Sequence, residues 1–123
     1  VVNPMIVVGQ LEGGAVQGIG QALCEQVVHD ADSGQPLTGT FMDYAMPRAG
    51  MVRHVEMTMD ESTPCRNNLL GVKGVGELGT IGATPTVVNA VVDALVRAGV
   101  PTARVEALQM PLTPERVWRA LQP

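Results

Sequence analysis

A single carboxylate stands in the run Gly71-Val72-Lys73-Gly74-Val75-Gly76-Glu77-Leu78-Gly79, whose other members are glycines, aliphatics and one lysine. Glycine lets a backbone take positive φ and come close to a bound group, so this turn suits something held against it. Among Val75, Leu78 and Ile81, Glu77 is expected to be poorly hydrated. That would lift its pKa from about 4.3 toward the neutral range in which a general base works best. Lys73, four positions away, would pull it back down. The same residues fit a plainer account, in which Glu77 caps a following helix and the glycines only make a tight loop.

A second candidate group lies 67 positions upstream, at Gln10. From Gly9-Gln10 to about Val28 the apolar residues Val16, Ile19, Leu23 and Val27 recur at three and four positions, the spacing of a helix. Gln10, Gly14, Gln17 and Gln21 share its other side, an uncharged stripe where a solvent face would carry Lys and Glu. Amides donate and accept, and Gly13, Gly14, Gly18 and Gly20 would let a polar ligand approach. The alternative is a helix packed tightly on a neighbour through its small residues, its amides bonded to backbone.

The elements that must position these groups follow in chain order. Val1-Val2 is expected to be the tail of a strand entering an Asn3-Pro4 turn. Residues 30–36 form an exposed turn, 37–44 an extended segment, and 46–50 a loop whose Arg48 could hold an anion or make a surface ion pair. Residues 52–59 alternate in part, with Val55, Met57 and Met59 opposite Arg53, His54, Glu56 and Thr58, as a half-buried strand does. His54 lacks a second histidine or cysteine at ligand spacing, so no metal site is expected there. Thr84 as N-cap and Pro85 in the first turn predict the start of a second main helix. Its stripe of Val87, Val88, Val91, Val92, Leu95 and Val96 runs to a stop at Gly99. A strand over 104–108 and a short C-terminal helix capped by Thr113 and running to Leu121 complete an expected α/β or α+β arrangement.

Composition bounds the rest. The chain has 123 residues, enough for one piece, 1–123, with a modest core. It opens without Met and only 2% of it is aromatic, which together suggest part of a larger domain. Charged residues make up 16% and the net charge is −4, with no basic block, so nucleic acid is not an expected partner. No uninterrupted apolar run approaches the ~18 residues of a membrane span, and no membrane partner is expected. Cys24 and Cys65 are too few and too isolated for a zinc site or a disulfide framework, which fits a reducing cytoplasm.

Taken together, Gly9-Gln10-Leu11-Glu12-Gly13-Gly14-Ala15-Val16-Gln17-Gly18-Ile19-Gly20 and Gly71-Val72-Lys73-Gly74-Val75-Gly76-Glu77 resemble the xanthine oxidase family of molybdenum hydroxylases. The likeness is nearest to bacterial aldehyde and carbon monoxide dehydrogenase large subunits. It extends over the whole chain, through Asp43-Tyr44-Ala45-Met46-Pro47-Arg48-Ala49, the second main helix and the Thr113-Pro114-Glu115-Arg116-Val117-Trp118 ending. The resemblance implies the C-terminal portion of a large, molybdopterin-binding subunit. It implies that Glu77 accepts the proton of a molybdenum-bound hydroxyl whose oxygen attacks the substrate carbon, and that Gln10 hydrogen-bonds the pterin, with Gly9, Gly13, Gly14 and Gly76 along the cofactor. It leaves Gln17 and Gln21 open. No protein side chain is implied as a metal ligand. The implied cofactor is molybdopterin with molybdenum, in the cytosine dinucleotide form, with 2Fe-2S and FAD on other subunits or domains of an oligomer. Implied partners are the remainder of the large subunit, iron–sulfur and flavin subunits, and a small substrate such as an aldehyde or N-heterocycle. Leu69 departs from the pattern, since similar sequences commonly carry proline after the asparagine. A non-catalytic assembly or dimerisation module is the rival reading. A nucleotide-binding domain lacks support, with no GxGxxG after a clear strand and no GKS or GKT.

Overall fold

The computed structural model describes residues 1–52 and 54–123, and four helices carry it: α1 (Pro4–Leu23), α2 (Leu78–Arg97), α3 (Thr102–Glu106) and α4 (Pro114–Leu121). The expected α/β or α+β class is wrong. Among the described residues there is no strand, only one isolated antiparallel bridge between His29 and Pro36.

The reason differs from segment to segment. Residues 37–44 close on themselves: the Thr40 hydroxyl donates to Asp43 at 2.8 Å, and the Tyr44 N–H donates to the Thr40 carbonyl at 2.8 Å. The second bond takes up an N–H and a carbonyl that a ladder would need. Over 52–59 Arg53 lies outside the described residues, and the alternation survives in part, half-buried Val55 and Met57 between exposed His54, Glu56 and Thr58. Alternation marks a strand only where a neighbour pairs with it, and no described segment does. At 104–108 the chain is helical instead, because Pro101 at the N-cap leads directly into α3.

The chain enters α1 earlier than expected. Asn3-Pro4 is not a turn but a helix start: the Asn3 side chain accepts the Ile6 N–H at 3.1 Å, and Pro4 occupies the first turn, where its missing N–H costs nothing. At the far end Cys24 leaves the helical backbone at φ −143 and the Glu25 N–H shares the Gly20 carbonyl at 2.9 Å, so α1 stops at Leu23, short of Val28. The small antiparallel turn that follows has Gly34 at φ 71. There the Asp30 N–H meets the Gln35 carbonyl and the Leu37 N–H the Val28 carbonyl, both at 2.8 Å.

Helix α2 is the central element. It begins at Leu78, six residues ahead of Thr84, so Pro85 lies inside it. It ends as expected, with Ala98 as C-cap and Gly99 at φ 85. By length and composition α2 is the one described helix that would also suit a membrane span. In this fold it packs along α1, and its C-terminal half carries the core. Leu95, Val100, Val105 and Ala120 are buried together, with Val91, Val92, Leu108 and Val117 against them. α4 matches the expectation at both ends, with the Thr113 hydroxyl accepting the Arg116 N–H at 3.3 Å. Arg104 ties α3 to α4 by donating to the Ala120 and Gln122 carbonyls. A 2.6 Å bond from the Leu112 N–H to the Ala22 carbonyl joins the end of α1 to the segment that leads into α4, and both residues are buried.

Candidate functional site

Glu77 is the N-cap residue of α2, yet only its backbone caps. Its carbonyl accepts the Ile81 N–H at 3.1 Å, while its carboxylate makes no cap hydrogen bond. The apolar enclosure expected around it is not supplied by its neighbours: Glu77 is exposed, and Leu78 and Ile81 are 61% and 68% exposed. Nor is Lys73 paired with it among the described residues. The Lys73 charge acts instead on Asp60, whose carboxyl is held below the usual range chiefly by the Ser62 hydroxyl and N–H, with Lys73 adding a smaller pull.

The loop leading to Glu77 is held from behind by its own side chains. Asn68 clamps Val72 on both sides, its amide nitrogen donating to the Val72 carbonyl at 3.0 Å and its oxygen accepting the Val72 N–H at 3.1 Å. The Cys65 N–H meets the Gly71 carbonyl at 2.9 Å. Gly71 alone among the glycines of this loop takes a positive φ, 68, and a Cβ there would lie 2.9 Å from Pro64 Cβ. Gly74 and Gly76 have open space where a Cβ would be, so the last stretch before Glu77 presents bare backbone.

On α1, Gln10 is exposed, and Gly9 and Gly13 likewise have nothing within 4 Å of a built Cβ. These two glycines line an open groove of about 450 Å³ with Glu12, Val16, Pro47, Arg48, Ala49 and Val52. The rest of the amide stripe faces a protein neighbour. Gly14 lies against Gly79, Gly18 against Ala83 and Thr84, and Gln21 accepts the Thr84 hydroxyl at 3.1 Å. Gly14 opposite Gly79 and Gly18 opposite Ala83 advance in the same direction, so α1 and α2 run parallel. Carried back one turn, that register brings Gln10 and Glu77 to the same end of the helix pair.

What this end can do chemically is limited and specific. Gln10 offers an amide that both donates and accepts, the pairing that a pterin edge requires, and the bare Gly9 and Gly13 leave room for a flat group to lie close. Glu77 offers a carboxylate that no described residue pairs with. These residues fit a molybdopterin cofactor along one wall. Among the described residues no group of His, Cys, Asp and Glu could hold a metal ion. The larger depression, about 620 Å³ beside α4, contains none of the predicted residues. Arg116 there is committed to the Gln109 and Pro111 carbonyls, and Arg119 to Glu115.

Sequence reasoning missed three supporting residues. Asn68 and Gly79 work through long-range or backbone contacts that spacing does not reveal. Glu25 is the third: burial first and the Glu25 charge second push the Tyr44 phenol up. Pro47 of the same loop lies where a side chain on Gly20 would be, which seats the loop bearing Arg48 against the end of α1.

Comparison with known proteins follows this geometry. Residues 1–53 match the family described as the molybdopterin cofactor-binding domain, a span that takes in Gly9, Gln10 and Gly13 and stops short of Glu77. The chain is 40% identical to the 6-hydroxypseudooxynicotine dehydrogenase complex subunit gamma of Paenarthrobacter nicotinovorans, over 99% of its own length and 14% of the relative's. It is also 40% identical to the carbon monoxide dehydrogenase large chain of Hydrogenophaga pseudoflava, over 98% of its length and 14% of that chain. Its fold superposes on the crystal structure of quinoline 2-oxidoreductase from Pseudomonas putida 86 with a TM-score of 0.78 at 42% identity, covering 99% of this chain and 15% of that one. The chain thus spans about one seventh of the relatives it matches. On sequence and fold it is similar to a stretch of the large subunits of molybdenum-dependent dehydrogenases and hydroxylases, and its first 53 residues match the molybdopterin cofactor-binding domain.

Proposed function

We propose that this chain forms one wall of the active site of a molybdenum-dependent oxidoreductase, which oxidises a small aldehyde, N-heterocycle or similar substrate with oxygen derived from water. The observation that carries the reading is the carboxylate of Glu77: it sits at a helix cap, makes no capping bond, and lies at the same end of the helix pair as Gln10. Bound here, the cofactor would supply two-electron oxidation of the substrate. Glu77 would act as general base, taking a proton from the water-derived nucleophile. Gln10 would hold the pterin edge, while Gly9, Gly13 and Gly76 keep side chains out of its way, with Gly14 fixing the helix behind it.

The finer assignments are part of the same proposal. The chain would be the C-terminal part of the molybdopterin-binding domain, with the remainder of the large subunit closing the pocket and covering Leu78 and Ile81. The cofactor would be the cytosine dinucleotide form, and 2Fe-2S and FAD would lie on other subunits of a cytoplasmic oligomer. Two thiols, Cys24 and Cys65, both unpaired, suit that compartment. The relatives support the general kind of enzyme, a molybdenum-dependent oxidoreductase, and their names run from carbon monoxide to quinoline.

The test is Glu77→Gln in the intact enzyme. Molybdenum and pterin content should stay at wild-type levels while turnover falls by roughly 10²- to 10⁴-fold, the usual cost of losing a positioned base. Turnover within about threefold of wild type would overturn the assignment.

A further inference from the structure

Resting on the reading of Glu77 as the base, we infer that Gly79 is a positioning residue: the absence of its side chain sets how far the carboxylate two residues upstream stands from the cofactor face of α1. A Cβ built on Gly79 would lie 2.6 Å from the Leu11 carbonyl oxygen, 2.8 Å from the Ala15 nitrogen and 3.0 Å from the Gly14 carbonyl carbon. All three are backbone atoms of α1, so no flexible side chain can swing aside. Contact at an ordinary 3.4 Å or more would require the first turn of α2 to withdraw by most of an ångström. That turn begins at Leu78 and is capped by Glu77 through the Ile81 N–H. Glu77 must therefore move with it, away from α1.

The other helix glycines grade the effect. On α1, a Cβ at Gly14 would meet Gly79 and Thr80 backbone at 3.1 Å, a shortfall of a few tenths of an ångström. Gly82, one turn further along α2, has nothing within 4 Å. The inference thus ranks three alanine substitutions in the order Gly79, Gly14, Gly82, by displacement of the base and not by helix propensity, which favours alanine at all three.

The experiment is steady-state kinetics of the intact enzyme carrying Gly79→Ala, Gly14→Ala, Gly82→Ala or Glu77→Gln. Each is normalised to molybdenum and pterin content and accompanied by thermal unfolding. A misplacement near 1 Å can cost up to ~10²-fold. Gly79→Ala is expected to lose roughly 10- to 100-fold in kcat per bound molybdenum with KM within about threefold, Gly14→Ala to lose less, and Gly82→Ala to match wild type. A merely structural role would lower cofactor content and melting temperature and leave kcat per molybdenum unchanged. That result, with Glu77→Gln inactive, would overturn the inference and leave the base assignment standing. Should Gly79→Ala fail to assemble, Gly14→Ala decides in its place: a kcat per molybdenum equal to that of Gly82→Ala overturns the inference. An active Glu77→Gln would remove the base reading and this inference with it.

Discussion

The hydroxyl of Thr84 on α2 lies 3.1 Å from the Gln21 side-chain oxygen and 3.3 Å from the Gly18 carbonyl on α1, so one proton is shared between two acceptors of the facing helix. Thr84 is half-buried at this crossing. Replacing it by alanine should destabilise the helix pair by about 1 kcal/mol, the usual net worth of such a bond, while Thr84→Ser, which keeps the hydroxyl, should stay within a few tenths of wild type. Denaturant midpoints of the two variants check this. Equal losses for serine and alanine would mean that the methyl group matters and the hydroxyl does not.

That residue also shows what the sequence could and could not tell. Thr84-Pro85 and Thr113-Pro114 are the same dipeptide, and both predict a helix start. At 113 the prediction holds, with the threonine hydroxyl accepting the Arg116 N–H. At 84 the helix is already six residues old, and the hydroxyl points across to α1. Asn3-Pro4 errs the other way, a true cap that resembles a turn. A cap signature is local, whereas the start of α2 depends on Gly79 finding the backbone of α1, a contact between residues far apart in sequence. The same limit explains the strands. Alternation over 52–59 is legible, but the pairing that would turn it into a sheet needs a neighbour that no described segment provides. Gln10 and Glu77 stand out in the sequence because their chemistry is odd for their surroundings: an amide stripe without charge, and one acid among glycines. That Gly14 belongs to a helix contact was one of the two readings left open, since small residues suit a ligand and a neighbouring helix equally well.

Asp30 offers a pH-dependent test of the turn after α1. Its carboxylate accepts the Ser33 hydroxyl at 2.7 Å, the Ser33 N–H at 2.8 Å and the Asp32 N–H at 3.3 Å. The Ser33 hydroxyl first and its N–H second hold the Asp30 carboxyl below the usual range. Because the folded pKa is the lower one, these bonds contribute fully above the unfolded value of about 3.9 and are lost as pH falls through the folded value. A carboxyl-carbon NMR titration should place Asp30 below an ordinary aspartate, and Ser33→Ala should return it upward. A midpoint at or above the ordinary value would show that the turn does not hold the carboxylate in solution.

The last prediction concerns the 123-residue chain by itself. Its buried hydrophobics are few and mostly small, Ala22, Leu95, Val100, Val105, Leu112 and Ala120, while Phe41 is 75% exposed, Met42 93% and Leu70 81%, with Leu69 fully so. Leu69 and Leu70 lie in the loop that the two Asn68–Val72 hydrogen bonds close. Apolar surface of this kind marks a face built to be covered, and in the enzyme we propose that the rest of the large subunit covers it. Alone, the chain should run larger than a 12.9 kDa monomer on size exclusion, bind a hydrophobic dye, and carry no molybdenum, since Gln10 and Glu77 line only one wall. Leu69→Lys with Leu70→Lys should shift it toward the monomer without altering its helical circular dichroism. A clean monomer of the unaltered chain holding stoichiometric molybdenum would contradict the one-wall geometry, because the exposed carboxylate and amide seen here would then have to bind the cofactor with no opposing surface.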